Sequence, residues 1–211
     1  MERCYHSFSK KSHATKGLLP EPFSQFILWF EEYAKVAKND IHAVCLSTVG
    51  ENNRPSARIV LMRDFSENGI VFFTNYQSRK GLEISSNPYA AMTFYWAESG
   101  RQLRVEGRLE KLDDVASDKY FDSRPTGSRI SAIISPQSKV IDNRSELERE
   151  FNKLMEQSSS SDIRRPAFWG GYILKADYFE FWQEKEHRLH DRIAYKLRSD
   201  SKDWVRYRLA P

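Results

Sequence analysis

The chain has 211 residues, of which 40% are hydrophobic, 13% aromatic and 29% charged, and it carries a formal net charge of +4 with a pI near 9.0. That length and balance suit one globular domain with a buried core and exclude disordered or fibrous classes; no run approaches the roughly 18 apolar residues of a membrane-spanning helix. Basic residues are interspersed with acids rather than gathered in a stripe, which disfavours nucleic acid as a partner and leaves phosphorylated small molecules open.

Residues 1–20 begin with a polar, mildly basic stretch that lacks an apolar core, so they read as a flexible arm rather than a secretory signal, followed by a single domain over 21–211. Two cysteines, Cys4 and Cys45, make neither a disulfide framework nor a zinc-ligand spacing, which fits a reducing cytoplasm. Over residues 23–38, Phe23, Phe26, Ile27, Phe30, Ala34 and Ala37 keep the spacing of an amphipathic helix, with Pro22 suited to its first turn. Ala43–Val49, a turn through Gly50-Glu51-Asn52-Asn53 and residues 56–62 predict a β-hairpin. Further strands are predicted at 70–74, 90–96 and 102–112, the last with Leu103, Val105 and Leu109 on one face and Gln102, Arg104, Glu106 and Arg108 on the other.

Ser78 is placed to cap a helix over 81–86, and Asp113 caps one that runs to about Ser123 and stops before Pro125. A charged helix over 142–157 follows, then a serine run at 158–161 that reads as a linker. Aromatic-rich strands are predicted at 169–174, 178–182, 192–197 and Trp204–Leu209, closing the second half of the sheet onto the first. The fold class expected is mainly β with flanking helices, an antiparallel barrel or sandwich.

Chemistry-bearing residues gather in a few places. His187-Arg188-Leu189-His190-Asp191-Arg192 puts two arginines, two histidines and a carboxylate in one stretch. As a strand it would align Arg188, His190 and Arg192 on one face, a row suited to a flat, anionic, partly aromatic ligand; the same residues also fit a solvated edge strand. Arg79 and Lys80 stand in a first helical turn, where cations oppose the helix dipole unless an anion reverses the interaction. Arg58 and Arg63 bracket an apolar strand on opposite faces and meet one ligand only through a bulge, a strand end or a dimer contact. Tyr120, Arg124 and Ser128 surround a helix end, and Gln137-Ser138 is a weaker polar pair. There is no Walker loop, G-x-G-x-x-G or nucleophile elbow. Metal binding by His187, His190 and Asp191 is disfavoured because the two imidazoles diverge on a strand, while on a helix Arg188 and Arg192 would crowd the cation.

Residues 58–63, Phe73-Thr74, Ser78-Arg79-Lys80, Arg101-Gln102, Tyr120 with Ser123-Arg124-Pro125, Gln137-Ser138, Trp169-Gly170-Gly171, residues 180–183, residues 188–192 and Arg208-Leu209-Ala210-Pro211 closely resemble the pyridoxine (pyridoxamine) 5′-phosphate oxidase family. The resemblance runs from about Phe23 to the last residue. It implies an FMN-binding split β-barrel of antiparallel Greek-key type, assembled as a homodimer with FMN at the interface. The implied activity is oxidation of pyridoxamine or pyridoxine 5′-phosphate to pyridoxal 5′-phosphate, with O2 as acceptor and H2O2 as product. By the same resemblance Arg58, Arg79, Lys80 and Ser138 hold FMN, largely through its phosphate. Gln102, Gln137, Trp182 and Arg192 complete that site, and Ile59, Val60, Leu61, Met62, Arg63, Phe73 and Thr74 line it. Tyr120, Arg124, Ser128 and Arg63 match the substrate-phosphate pocket, while Arg188, Leu189 and His190 match the segment over the pyridine ring, with Arg188 and His190 in the catalytic roles.

Two departures accompany the match. Arg63 stands where the family usually has lysine, keeping the charge while changing its shape and reach. In the arm, Tyr5 has Glu2 where the family often has arginine, with Arg3 one place off. These departures suit a competing reading, a non-catalytic carrier of flavin or pyridoxal phosphate on the same fold, against which the retention of both Arg188 and His190 counts. A basic nucleic-acid-binding barrel is the third reading and predicts strongly salt-dependent binding without flavin colour.

Overall fold

The described residues form nine strands, most of them with alternating apolar and polar side chains: β1 Ala43–Val49, β2 Pro55–Leu61, β3 Asp64–Ser66, β4 Gly69–Asn75, β5 Tyr89–Trp96, β6 Arg101–Lys111, β7 Trp169–Gln183, β8 Asp191–Leu197 and β9 Trp204–Leu209. The computed structural model describes residues 18–157, 163–199, 201 and 203–211. The linker expected over 158–161 therefore lies outside the described residues, as does the expected arm before residue 18.

Every pairing is antiparallel, and the strands follow the order β2-β1-β5-β6-β7-β4-β3, with β8 on β7 and β9 on β8. The chain builds one hairpin with β1 and β2 and another with β3 and β4, then returns so that β5 pairs with the free edge of β1. The sheet curls around Leu46, Phe72, Met92, Phe94, Leu103, Val105, Leu174, Phe179 and Tyr195, all fully buried. Helix α1, Pro22–Ala34, with its proline in the first turn, lays Phe26, Trp29, Phe30 and Tyr33 across one end of this core. Each such ring contributes about 1.5–3 kcal/mol of burial. The residues before α1 are tied down: the Tyr195 hydroxyl donates to the Leu19 carbonyl (2.6 Å) and the Leu19 N–H to Gln25 Oε1 (2.8 Å).

A second cluster of Phe121, Ile130, Ile163 and Trp169 sits under helices α3, Asp114–Asp122, α4, Thr126–Ile134, and α5, Arg144–Gln157. Arg165 fastens α3 to β7, donating to Asp114 and Asp118 (2.6 Å each) and to the Trp169 carbonyl (2.7 Å). Helix α2, Arg79–Ser86, packs on the inward side of β1 and β2, with Ile84 in the main core and Glu83 bonded to Thr48 and Ser56. No helix among the described residues is long and apolar enough to cross a membrane.

Three expectations need correction. The strands predicted at 169–174 and 178–182 are one continuous β7. Opposite it, Gly107 pairs with Ala176 and Glu106 with Tyr178, so Asp177 is an extra residue, a β-bulge. Inward positions are Tyr172 and Leu174 before the bulge and Phe179 and Phe181 after it, and this change of phase in the alternation is what mimics two strands. The row of Arg188, His190 and Arg192 on one strand face does not form. Glu186–Arg188 is a 3-10 turn with His187 and Arg188 at φ 55° and 60°, and β8 starts only at Asp191. Its cause is the β7–β8 hairpin, whose last pair is Gln183 with Asp191, so the residues between must reverse the chain. Finally, β3 and α4 were not anticipated: β3 is too short for a periodic signal, and the small polar residues opening α4 after Pro125 mask the apolar positions that follow.

At the bulge, a Cβ on Gly107 would stand 2.0 Å from the Lys175 carbonyl oxygen, a contact that only backbone movement relieves. Gly107→Ala is expected to destabilise the protein by about 1–3 kcal/mol, with a matching fall in Tm by calorimetry; an unchanged Tm would show that the bulge tolerates a side chain.

Candidate functional site

Polar and cationic side chains converge first where α2 meets the sheet. Ser78 caps α2, its Oγ accepting from the Gly81 N–H (3.3 Å), and the first turn then carries Arg79 and Lys80 with no acidic residue. Lys80 Nζ donates to Gln137 Oε1 (3.0 Å) and Thr74 Oγ1 (3.2 Å), joining the end of β4 to the loop after α4. Burial pushes the Lys80 pKa down, with the Arg58 charge adding to the effect and Glu83 opposing it. Arg58 shares the inward face with Leu46 and Thr48, donating to the Leu46 carbonyl (3.0 Å), Thr48 Oγ1 (2.6 Å), Ser56 Oγ and Glu83 Oε2 (3.2 Å).

Glu83, on α2 and buried, is the hub of this group. It accepts from Thr48 (2.5 Å), Ser56 (2.6 Å), Arg58 and Arg79 Nε (2.8 Å). Burial works to raise its pKa, but the hydrogen bonds from Ser56, Thr48 and Arg79 and the charge of Arg58 outweigh it and hold the carboxyl at about 2. A carboxylate ionised at neutral pH thus anchors two of the cations.

A second group lies on the other side of β4. Phe73 stacks on Tyr120 (3.8 Å between centroids, 15° between planes), and Tyr120 lies parallel to Trp169 at 6.2 Å. The Arg124 guanidinium sits over the Trp169 ring at 4.7 Å. Its Nη1 is buried and has no hydrogen-bond partner among the described residues. Burial lowers the Arg124 pKa, the Tyr120 hydroxyl opposes that shift, and nearby Arg63 adds to it. Arg63 lies in the link from β2 to β3, beyond the strand that carries Arg58, its N–H donating to the Val71 carbonyl (2.8 Å), and its charge is close enough to Arg124 to act on it. Ser128 stands in the first turn of α4, its N–H bonded to the Pro125 carbonyl (2.9 Å).

The third group is on the outward face of the sheet. Gln102, Trp182 and Arg192 are lateral neighbours across β6, β7 and β8. The His190 ring packs against Trp182 at 4.6 Å, and its Nδ1 accepts from the Lys185 N–H (3.2 Å), which leaves the ring proton of the neutral imidazole on Nε2. Arg192 is bonded to Glu180, which raises its pKa.

The sequence-predicted residues therefore divide. Arg58, Thr74, Arg79, Lys80 and Gln137 come together, as do Arg63, Phe73, Tyr120 and Arg124, while Gln102, Trp182, His190 and Arg192 form a set on the opposite sheet face from Arg58. Ser138 follows Gln137 in an exposed left-handed turn, φ 73°. Ile59 is exposed, Val60 and Leu61 are half-buried, and the Met62 side chain belongs to the core. Arg188 and Leu189 are exposed on the hairpin turn. Sequence reasoning missed Glu83 and Glu180 as organisers. A glutamate one turn after Arg79 was a usable signal for the first, by its i, i+4 spacing.

A family model described as pyridoxamine 5′-phosphate oxidase matches residues 30–157, and one described as pyridoxine 5′-phosphate oxidase C-terminal dimerisation region matches residues 169–211. The chain is 49% identical over 191 residues to the pyridoxine/pyridoxamine 5′-phosphate oxidase of Herminiimonas arsenicoxydans, covering 90% of each chain. It is 47% identical over 206 residues to that of Burkholderia ambifaria, covering 97% of this chain and 96% of the relative. Among solved structures it is similar to PhzG from Burkholderia lata in complex with tetrahydrophenazine-1-carboxylic acid, with a TM-score of 0.85 at 26% identity over 92% of this chain and 94% of that one. An FMN-binding protein related to pyridoxamine 5′-phosphate oxidase from Nostoc punctiforme shares the fold, with a TM-score of 0.72 at 20% identity over 90% and 98% of the two chains.

Since the folded pKa of Glu83 lies below the unfolded value of about 4.3, its stabilisation is complete above that value and disappears as pH falls towards about 2. Glu83→Gln is expected to cost about 1.5–3 kcal/mol at neutral pH, with the Tm gap to the parent protein closing between about pH 4.5 and 2. A gap independent of pH across that window would show that the carboxyl is not held ionised.

Proposed function

Because the chain belongs to the pyridoxamine 5′-phosphate oxidase family, we propose that it oxidises pyridoxamine 5′-phosphate and pyridoxine 5′-phosphate to pyridoxal 5′-phosphate, with FMN as cofactor, O2 as acceptor and H2O2 as product. The observation that carries the substrate class is Arg124 Nη1, a buried donor without a partner among the described residues, near Arg63 and the Tyr120 hydroxyl. An unsatisfied buried guanidinium nitrogen costs free energy that a phosphate oxygen recovers.

The residues present also fit FMN. Arg79 and Lys80 oppose the dipole of α2 and suit a phosphate there, with Arg58, Thr74, Gln137 and Ser138 completing the cradle. Trp182, Gln102 and Arg192 offer an indole face, an amide and a cation to the ring system. That these two sets lie on opposite faces of one sheet supports a site shared between protomers, each supplying one set. The C-terminal match to a dimerisation region, which spans Trp182 and Arg192, favours a homodimer.

FMN, when bound, would supply the two-electron acceptor, taking one hydride from the carbon bearing the amine or alcohol and giving that electron pair to O2. The protein's own work is positioning. Arg124, Arg63, Tyr120 and Ser128 bind the substrate phosphate, the Phe73–Tyr120–Trp169 stack stiffens that pocket, and Arg188 on the hairpin turn orients the substrate ring. His190, packed on Trp182 and fixed through Nδ1, holds a proton at Nε2 where it donates to a substrate oxygen or nitrogen. The cysteine-poor composition supports a reducing cytoplasm as the setting of this activity.

Anaerobic mixing of the FMN-loaded protein with pyridoxamine 5′-phosphate is expected to bleach the flavin band at about 450 nm, with recovery on admitting air and formation of pyridoxal 5′-phosphate. Lasting yellow colour despite measured substrate binding would support the non-catalytic carrier instead. Arg124→Ala is expected to lower kcat/KM for the phosphorylated substrate about ten- to a hundredfold, mainly through KM. Turnover of pyridoxamine, which has no phosphate, should not change; equal losses on both substrates would remove Arg124 from the phosphate pocket. Arg188→Ala is expected to lose a similar factor on both, and activity within twofold of the parent would defeat its assignment.

A further inference from the structure

We propose that Glu180 is the positioning residue for the ring-facing side of the site, acting through Arg192; the inference rests on the FMN reading above. Glu180 is only 2% exposed, although it lies on the outward face of the sheet with Trp182. A carboxylate buried this far is tolerated only when its charge and lone pairs are matched, and the matching here is specific. Oε1 accepts from Nε of Arg192 (2.8 Å) and forms an ion pair with its Nη2 (2.8 Å), while Oε2 accepts from Arg104 Nη1 (3.1 Å) and the Tyr178 hydroxyl (3.2 Å). Burial and then the charge of Glu180 push the Tyr178 pKa up to about 12, which keeps its hydroxyl a donor.

This arrangement controls the orientation of Arg192. Two edges of its guanidinium are engaged, one by Glu180 and the other by the Ala210 carbonyl, which accepts from Nη1 (2.9 Å). The plane of the group is therefore set, and the cation is held in line with Trp182 and Gln102. A guanidinium without Glu180 would keep its charge but lose its direction, and a misdirected cation binds a flat ring system less well. Arg104, shared between Glu106 and Glu180, adds a second cation against the buried carboxylate, so that Glu180 is matched on both oxygens and the two arginines and two glutamates balance in charge.

The test is a double-mutant cycle on flavin binding, read by fluorescence quenching as FMN or riboflavin is titrated into the apoprotein. Glu180→Gln is expected to weaken binding about tenfold, by the same factor for FMN and riboflavin because the effect is on the ring side. In the Arg192→Gln background the same change should have no further effect, since a residue acting through another loses its influence when that residue is gone. Glu180→Asp retains the charge but withdraws it by one methylene, and it carries the same expectation if Glu180→Gln does not fold. Binding by the Glu180 variant within twofold of the parent would overturn the proposal, as would a loss that persists undiminished without Arg192. Failure of the parent apoprotein to bind FMN would instead remove the FMN reading, and the role of Glu180 with it.

Discussion

One extra residue in β7 organises the molecule. Asp177 has no partner on β6, so the strand changes phase there and its free edge is divided: residues before the bulge pair with β4, those after it with β8. Without the bulge, Phe179 and Phe181 would face outward and Glu180 and Trp182 would be driven into the core, since a one-residue slip exchanges the two faces. Gly107 makes the bulge possible by letting the Lys175 carbonyl approach where a Cβ would stand. Barrel closure and presentation of Trp182 thus have one geometric origin.

Cations dominate the proposed site, and two buried carboxylates keep them in order. Glu83 ties Arg58 and Arg79 to β1, β2 and α2, and Glu180 ties Arg192 and Arg104 across β6, β7 and β8. Free arginine side chains lose considerable rotamer entropy when a ligand immobilises them. Holding them beforehand with an ionised partner spends that entropy during folding rather than binding. Arg124 is the contrast: it is positioned by stacking on Trp169 rather than by an acid, which leaves a donor available for an anion.

The division of the proposed cofactor-facing residues between two sheet faces gives the proposed dimer a functional meaning. A single protomer presents the cradle formed by α2 and the row formed by β6, β7 and β8 in different directions, and a second copy is the economical way to bring complementary halves together. The exposed apolar side chains of Ile59 and Tyr95 on the same outward face agree with a surface that another protomer covers.

The sequence alone was enough for the elements with a clean period. Ala43–Val49 and Trp204–Leu209 coincide with β1 and β9, and the caps at Ser78 and Asp113 lie where expected, because alternation and capping are local properties of neighbouring residues. Its motifs also identified the family, since side chains that meet a common ligand leave recognisable types at recognisable intervals. Tertiary structure alone decided that 169–183 is a single strand, that residues 186–188 form a turn and that the Arg63 charge acts on Arg124. It also decided that Glu83 and Glu180 are internal counter-ions. Each of these depends on what lies opposite a residue across a sheet or beneath a helix, and such pairings join positions as distant in sequence as Glu106 and Tyr178 or Arg58 and Glu83, whose proximity no local pattern records.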